Sequence, residues 1–113
     1  MKKAYHLDNC NTCQRILDEL NWGGERQEIR SEKITESQLD EMAQMAGSYE
    51  SLFSRRAIKY KTMGLKDRAL KETDYKSLIL EEDTFLKRPI FIIDQEIFIG
   101  NSKKVVEAVQ QAL

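Results

Sequence analysis

The stretch Lys2-Lys3-Ala4-Tyr5-His6-Leu7-Asp8-Asn9-Cys10-Asn11-Thr12-Cys13-Gln14-Arg15-Ile16-Leu17-Asp18-Glu19-Leu20 decides how the rest of the chain is read. Residues 2–7 read as a short strand that leads directly into two cysteines spaced C-x-x-C. Cys13, Ile16, Leu17 and Leu20 then recur at i, i+3, i+4 and i+7, the apolar stripe of an amphipathic helix. C-x-x-C by itself arises by chance or as half of a zinc site. Between a strand and a helix it is a much stronger signal for thiol chemistry.

Outward from this junction the punctuation continues. Gly23-Gly24 is predicted to end the first helix, because glycine tolerates the left-handed conformation that closes one. Residues 25–31 alternate weakly around Ile29 and suit a short edge strand. Thr35-Glu36-Ser37-Gln38 is a capping-box pattern, with Leu39, Met42, Ala43 and Ala46 on one apolar face behind it. A second helical segment is predicted from about Leu52 to Met63, stopping at Gly64. A third starts near Thr73 and turns Tyr75, Leu78 and Ile79 inward.

The period then changes. Ile90-Phe91-Ile92-Ile93 is a continuous apolar run, as a buried central strand shows. Asp94-Gln95 turns the chain and Ile97-Phe98-Ile99 returns as the second arm of a hairpin. After Gly100, Val105, Val106, Val109, Ala112 and Leu113 line a last helix capped by Asn101 or Ser102. The order is βαβ, helices, ββα. It predicts an α/β, thioredoxin-like fold: a mixed sheet of about four strands, with helices inserted between the βαβ and ββα halves. Residues 1–113 read as a single domain.

Composition narrows the function. A chain of 113 residues buries roughly two-thirds of its unfolded surface, so its core needs neither disulfide nor metal. With 41% hydrophobic and 33% charged residues and a formal net charge of −1, no broad electrostatic case exists for binding nucleic acid or an anionic membrane. No apolar run approaches the ~20 residues that span a bilayer. Met-Lys-Lys-Ala-Tyr-His lacks the features of a signal peptide. The expected location is the cytoplasm, where both cysteines start as thiols.

Cys10 sits where the first helix opens. First-turn N–H groups lack intrahelical partners and the macrodipole puts positive charge there, so a thiolate is stabilised. Cys13, one turn on, shares its face and is placed to close a disulfide with it. Zinc needs two further ligands and finds only His6 and Asp8 nearby, so no metal is expected. The bland alternative, a buried cysteine acting as a small hydrophobe, suits Cys13 better than Cys10. For His6 two readings stay open: a partner that favours the thiolate when protonated, or a strand-end ring packed against the sheet.

In combination, His6-x-x-x-Cys10-x-Thr12-Cys13, Leu52-Phe53-Ser54-Arg55-Arg56-Ala57-Ile58-Lys59-Tyr60, Lys87-Arg88-Pro89-Ile90 and Ile99-Gly100 give a specific resemblance. Over nearly its whole length the chain resembles the arsenate reductase-like (ArsC/Spx) family. The resemblance implies that Pro89 is a cis-proline facing the cysteine loop. It also implies that Arg88 and one arginine of the 54–56 segment point toward Cys10. Arg56 is preferred to Arg55 from the alignment with the redox-regulator branch, and Arg55 is read as a solvated charge. Guanidinium groups hold tetrahedral oxyanions and favour a nearby thiolate, so these placements make physical sense. Two departures stand out. Asn101 occupies the place of a third arginine in the glutathione- and glutaredoxin-dependent arsenate reductases and supplies no charge. Cys13 stands where those enzymes commonly have no cysteine.

These features imply a thiol-disulfide redox protein resembling arsenate reductases. Cys10 would be the nucleophile and Cys13 the resolving thiol, acting on a small oxyanion or a thiol/disulfide substrate bound by Arg56, Arg88, Pro89 and Asn101. No cofactor is expected to be bound; glutathione, thioredoxin or glutaredoxin would supply electrons. The alternative is a redox-switched regulator resembling Spx that binds the RNA polymerase α subunit, without contacting nucleic acid or membrane. The chain ends at Leu113 without the C-terminal segment those regulators tend to carry, which favours the enzyme. A family member without catalysis ranks last.

Overall fold

The computed structural model describes residues 1–113. In chain order the elements are β1 (Lys2–His6), α1 (Asn11–Glu19), β2 (Glu25–Glu28), α2 (Glu36–Ala46), α3 (Ile58–Thr62), α4 (Glu72–Glu81), β3 (Ile90–Ile93), β4 (Glu96–Ile99) and α5 (Lys103–Ala112), with short 3-10 turns at Glu50–Leu52, Leu65–Asp67 and Asp83–Phe85. Two compact units share them: residues 1–33 with 88–113, and residues 34–87.

The first unit is a four-stranded sheet in the order β2-β1-β3-β4. β2 runs parallel to β1, and β3 pairs antiparallel with both β1 and β4. A parallel pair cannot be joined by a tight turn, and α1 supplies the crossover. Phe91 lies opposite Ala4 on one side and Phe98 on the other. On that face Ala4, Phe91 and Ile93 pack with Ile16, Leu17 and Leu20 of α1, Trp22, and Val109 of α5. The Trp22 ring lies 5.0 Å from Phe91 and its indole N–H donates to the Glu25 carbonyl at 3.1 Å. The central strand expected at Ile90–Ile93 is buried along its whole length.

Boundaries differ from the expectations in informative places. β1 stops at His6 because the Leu7 carbonyl turns to accept the Cys10 N–H at 3.1 Å. α1 closes earlier than Gly23-Gly24: Leu20 caps it and Asn21 takes the left-handed turn at φ 50°. Asparagine is among the few non-glycine residues that accept that region cheaply. Gly24 has another task. A Cβ there would lie 2.8 Å from both Cβ and O of Lys2 and 2.9 Å from the Trp22 ring. Gly24→Ala should therefore destabilise the chain by about 1–3 kcal/mol through overpacking, read as a lower urea midpoint. An unchanged midpoint would show that β1 and Trp22 shift freely. β2 covers 25–28 rather than 25–31, since Arg30 and Ser31 turn their N–H groups onto the Glu28 carboxylate.

In the second unit, Thr35 and Gln38 form the expected capping box at the start of α2, each side chain accepting the other's backbone N–H. The single helix expected from Leu52 to Met63 is not formed. Phe53 is extended and bridges antiparallel to Leu86, with the Ser54 N–H donating to Phe85 O at 2.7 Å and the Lys87 N–H to Leu52 O at 2.8 Å. Only Ile58–Thr62 is helical before Gly64 turns at φ 67°. The Phe53 ring explains the break. It stacks on Phe85 at 5.0 Å and meets Tyr75 at 4.9 Å and Tyr60 at 6.0 Å, burial that a continuous helix would forgo. α4 buries Tyr75, Leu78 and Ile79 as expected.

At the C-terminal end, Ser102 caps α5, its hydroxyl oxygen accepting the Val105 N–H at 3.2 Å. No helix is long and apolar enough to cross a membrane.

Candidate active site

The turn after β1 delivers Cys10 to the N-cap of α1. The Cys10 N–H closes the turn onto Leu7 O, its backbone is extended (φ −98°, ψ 101°), and its carbonyl accepts the first helical bond, from the Gln14 N–H at 3.1 Å. The Cys10 Sγ accepts the Cys13 N–H at 3.4 Å, an ordinary length for sulfur. Sulfur thus replaces the serine or aspartate oxygen that commonly satisfies a helix N-terminus. Cys10 is half-buried and Cys13 fully buried, and both are free thiols.

The two thiols are set apart. Partial burial resists ionisation of Cys10, but hydrogen bonds from the Cys13 thiol and N–H, with the charge and hydrogen bond of Arg88, outweigh it and draw Cys10 below the ordinary thiol range. Burial pushes Cys13 up to about 12, helped by its hydrogen bond to Cys10 and the charge there. Cys10 is therefore the thiol that ionises first, while the inner sulfur of Cys13 keeps its proton.

Arg88 precedes Pro89, and the peptide bond between them is cis. The Gly100 N–H donates to the Pro89 carbonyl at 2.9 Å, tying the entry of β3 to the exit of β4. The His6 ring is buried at the end of β1, its Nδ1 3.4 Å from Gln14 Nε2 and 3.6 Å from Asp8 Oδ1. Gln14 Nε2 also donates to Leu7 O at 3.2 Å, so the helix itself braces the cysteine turn.

The ArsC family model matches residues 5–109, from β1 through most of α5. The chain belongs to the ArsC family. Among solved structures it is similar to the YFFB protein (TM-score 0.83, 18% identity, covering 100% of this chain and 99% of that one). It is also similar to a putative arsenate reductase from Yersinia pestis (0.79, 19%, 98% and 99%) and to an arsenate reductase from Vibrio cholerae (0.80, 17%, 99% and 97%). At these identities the likeness shows the fold, the thioredoxin-like α/β arrangement that the element order predicts. Among curated proteins there is no sequence match.

In this ArsC-family chain, Cys10, Cys13 and Arg88 come together within the first unit, and Pro89 follows Arg88 through the cis bond. Arg56 belongs to the 34–87 unit, where its side chain is exposed and its N–H donates to Ser54 Oγ at 3.3 Å. Arg55 is not simply solvated: it pairs with Glu50 at 2.9 Å, donates to the Tyr75 hydroxyl at 3.0 Å, and lies 5.8 Å over the Tyr75 ring. Asn101 is exposed directly after Gly100, whose φ of 98° turns the chain toward α5. No cluster of three or more His, Cys, Asp or Glu side chains converges to hold a metal ion.

Sequence reasoning missed Glu28. One oxygen of its carboxylate accepts the Asp8 N–H at 2.9 Å, and the other accepts the N–H groups of Arg30 (2.9 Å) and Ser31 (2.7 Å) and the Ser31 hydroxyl (3.0 Å). Burial tends to raise its pKa, but these donors pull it down to about 2. An acidic residue ahead of Arg-Ser is too common a pattern to have signalled this.

Proposed function

We propose that this chain is a thiol-disulfide redox enzyme resembling arsenate reductases, with Cys10 as nucleophile and Cys13 as resolving thiol. One observation carries the reading: the Cys10 thiol, at the mouth of α1 beside Arg88, is drawn toward ionisation, while Cys13, hydrogen-bonded beneath it, keeps its proton.

With arsenate, the Cys10 thiolate attacks arsenic, an As–S bond forms, and an arsenate oxygen leaves as water after protonation. Arg88 and the first-turn N–H groups face the anion, Asn101 supplies a further donor, and Pro89 shapes the wall. Once Cys10 is bonded, its negative charge is gone, and one cause of the high Cys13 pKa goes with it. Cys13 then loses its proton and attacks Cys10 Sγ. The As–S bond breaks, its electron pair reduces As(V) to As(III), and a Cys10–Cys13 disulfide remains. A disulfide substrate follows the same course with sulfur as leaving group. Glutathione, thioredoxin or glutaredoxin restores the dithiol, and such a cycle suits a reducing cytoplasm.

The test is NADPH-coupled arsenate reduction with thioredoxin and glutaredoxin systems, using the natural chain and Cys13→Ser. The natural chain should turn over. With thioredoxin, Cys13→Ser should lose about 100-fold or more, because an intramolecular thiol acts at a high effective concentration, and intact mass should show an adduct on Cys10. Absence of turnover with every donor, from protein shown to be reduced and folded, would refute the arsenate reading.

A second reading, a redox-switched regulator that binds the RNA polymerase α subunit, draws support from the adjacent Cys13 and from uncharged Asn101. Binding to the α subunit in one redox state and not the other would favour it; binding in neither would remove it.

A further inference from the structure

The turn Leu7-Asp8-Asn9-Cys10 carries the sulfur, and it is short and partly exposed. Three bonds hold it. The Cys10 N–H closes it internally onto Leu7 O, Gln14 Nε2 reaches Leu7 O from α1, and Glu28 Oε2 takes the Asp8 N–H from the far end of β2. Glu28 lies opposite His6 in the parallel ladder, and the Ile29 N–H donates to His6 O at 2.9 Å, so the strand pairing brings the carboxylate level with the turn. Its second oxygen is held by Arg30 and Ser31, which leaves the carboxylate little freedom to rotate.

We propose that Glu28 is a positioning residue for Cys10: its carboxylate clamps the Asp8 N–H and so keeps the cysteine turn seated, with Cys10 Sγ over the Cys13 N–H. The role follows from how short the chain is between clamp and sulfur. Only Asn9 separates Asp8 from Cys10. Slack at Asp8 passes directly into the Sγ···H–N bond, and a charge-assisted bond to a carboxylate is among the stronger tethers for a backbone N–H. The carboxylate touches neither sulfur, so its action runs through the turn. The proposal deepens the enzymatic reading and rests on Cys10 being the working thiol.

Two variants separate this role from a structural one. In Glu28→Gln the amide oxygen can still serve Arg30 and Ser31, but the amide nitrogen then faces the Asp8 N–H, donor against donor, and the tether is lost at almost constant shape. Ser31→Ala removes only the hydroxyl on the other oxygen and leaves the tether in place. Cys10 is titrated by thiolate absorbance in the ultraviolet and by the pH dependence of iodoacetamide alkylation, in the full chain and without any substrate. Glu28→Gln should raise the Cys10 midpoint by about half a unit to one unit and slow alkylation below that midpoint about three- to tenfold. Ser31→Ala should leave both unchanged.

If neither variant moves the midpoint, or both move it equally, Glu28 is structural only and the proposal fails. A lower midpoint in Glu28→Gln also overturns it, because the direct effect of removing a negative charge would then dominate. Since no readout needs turnover, a chain that reduces no arsenate yet shows the expected shift keeps the clamp and loses only the enzymatic reading.

Discussion

Cys10→Ser should abolish coupled arsenate or disulfide reduction, with a loss on the order of 10³-fold or more, while leaving the fold intact. The hydroxyl can accept the Cys13 N–H as the sulfur does, since serine is itself a favoured N-cap residue, so α1 keeps its start. What disappears is the ionisable nucleophile. A serine hydroxyl is not deprotonated near neutrality, and neither the Arg88 charge nor a helix terminus closes so wide a gap. The pH dependence has a definite sign. Because Cys10 is displaced downward, alkylation of the natural chain should rise with pH through a midpoint below the ordinary thiol value of ~8.5, then level off. Cys13, pushed to about 12, should contribute nothing over that range. Full activity in Cys10→Ser, or a midpoint at or above the ordinary value, would sink the mechanism.

Phe53→Ala should have the largest effect on stability, about 3–5 kcal/mol. The ring is fully buried, stacked on Phe85 and edged by Tyr75 and Tyr60. Its removal leaves a cavity lined by stiff rings that collapse poorly. It also loosens the place where the backbone of residues 52–54 bonds to residues 85–87. Against a typical domain stability of ~5–15 kcal/mol this is a large share, and Tm should fall by about 12–20 °C. Phe53→Leu, which refills most of the volume, should cost much less. A loss under about 1 kcal/mol on chemical denaturation would mean that the aromatic cluster repacks freely.

The contrast between Ile90–Ile93 and Leu52–Met63 shows what could be read from sequence. The first is an unbroken apolar run whose neighbours agree with it, and a buried central strand is the outcome. The Thr35–Gln38 box is equally local, because both partners lie within one turn. The second segment has the right residues for a helix, but Phe53 is recruited by Phe85 and Leu86, more than thirty positions away. No window along the chain contains that competition. The end of α1 misled for another reason: Gly24 is needed for its missing side chain rather than for its backbone freedom, and sequence alone does not separate the two uses.

For the candidate site, the strand-to-helix junction was legible, since hydrophobic period and cysteine spacing both mark it. The Arg88–Pro89 bond was expected to be cis only through the family resemblance, and it is cis. The Glu28 contact to Asp8 crosses 20 positions, from the last residue of a short strand to an irregular turn, and no periodicity betrays it.

The position of β1 in the sheet carries a kinetic consequence. Lys2 lies opposite Ile93 and Tyr5 opposite Ile90, so β1 pairs with a strand synthesised long after it. At synthesis rates of ~5–20 residues per second, β1 waits several seconds on the ribosome for its antiparallel neighbour. Until then only α1 and β2 can shelter it. When β3 arrives, the closure must span all of residues 34–87, a non-local step of the kind that slows folding. The charged Lys2 and Lys3 that open β1 suit a strand edge left unpaired for so long, because lysine discourages pairing with another nascent chain.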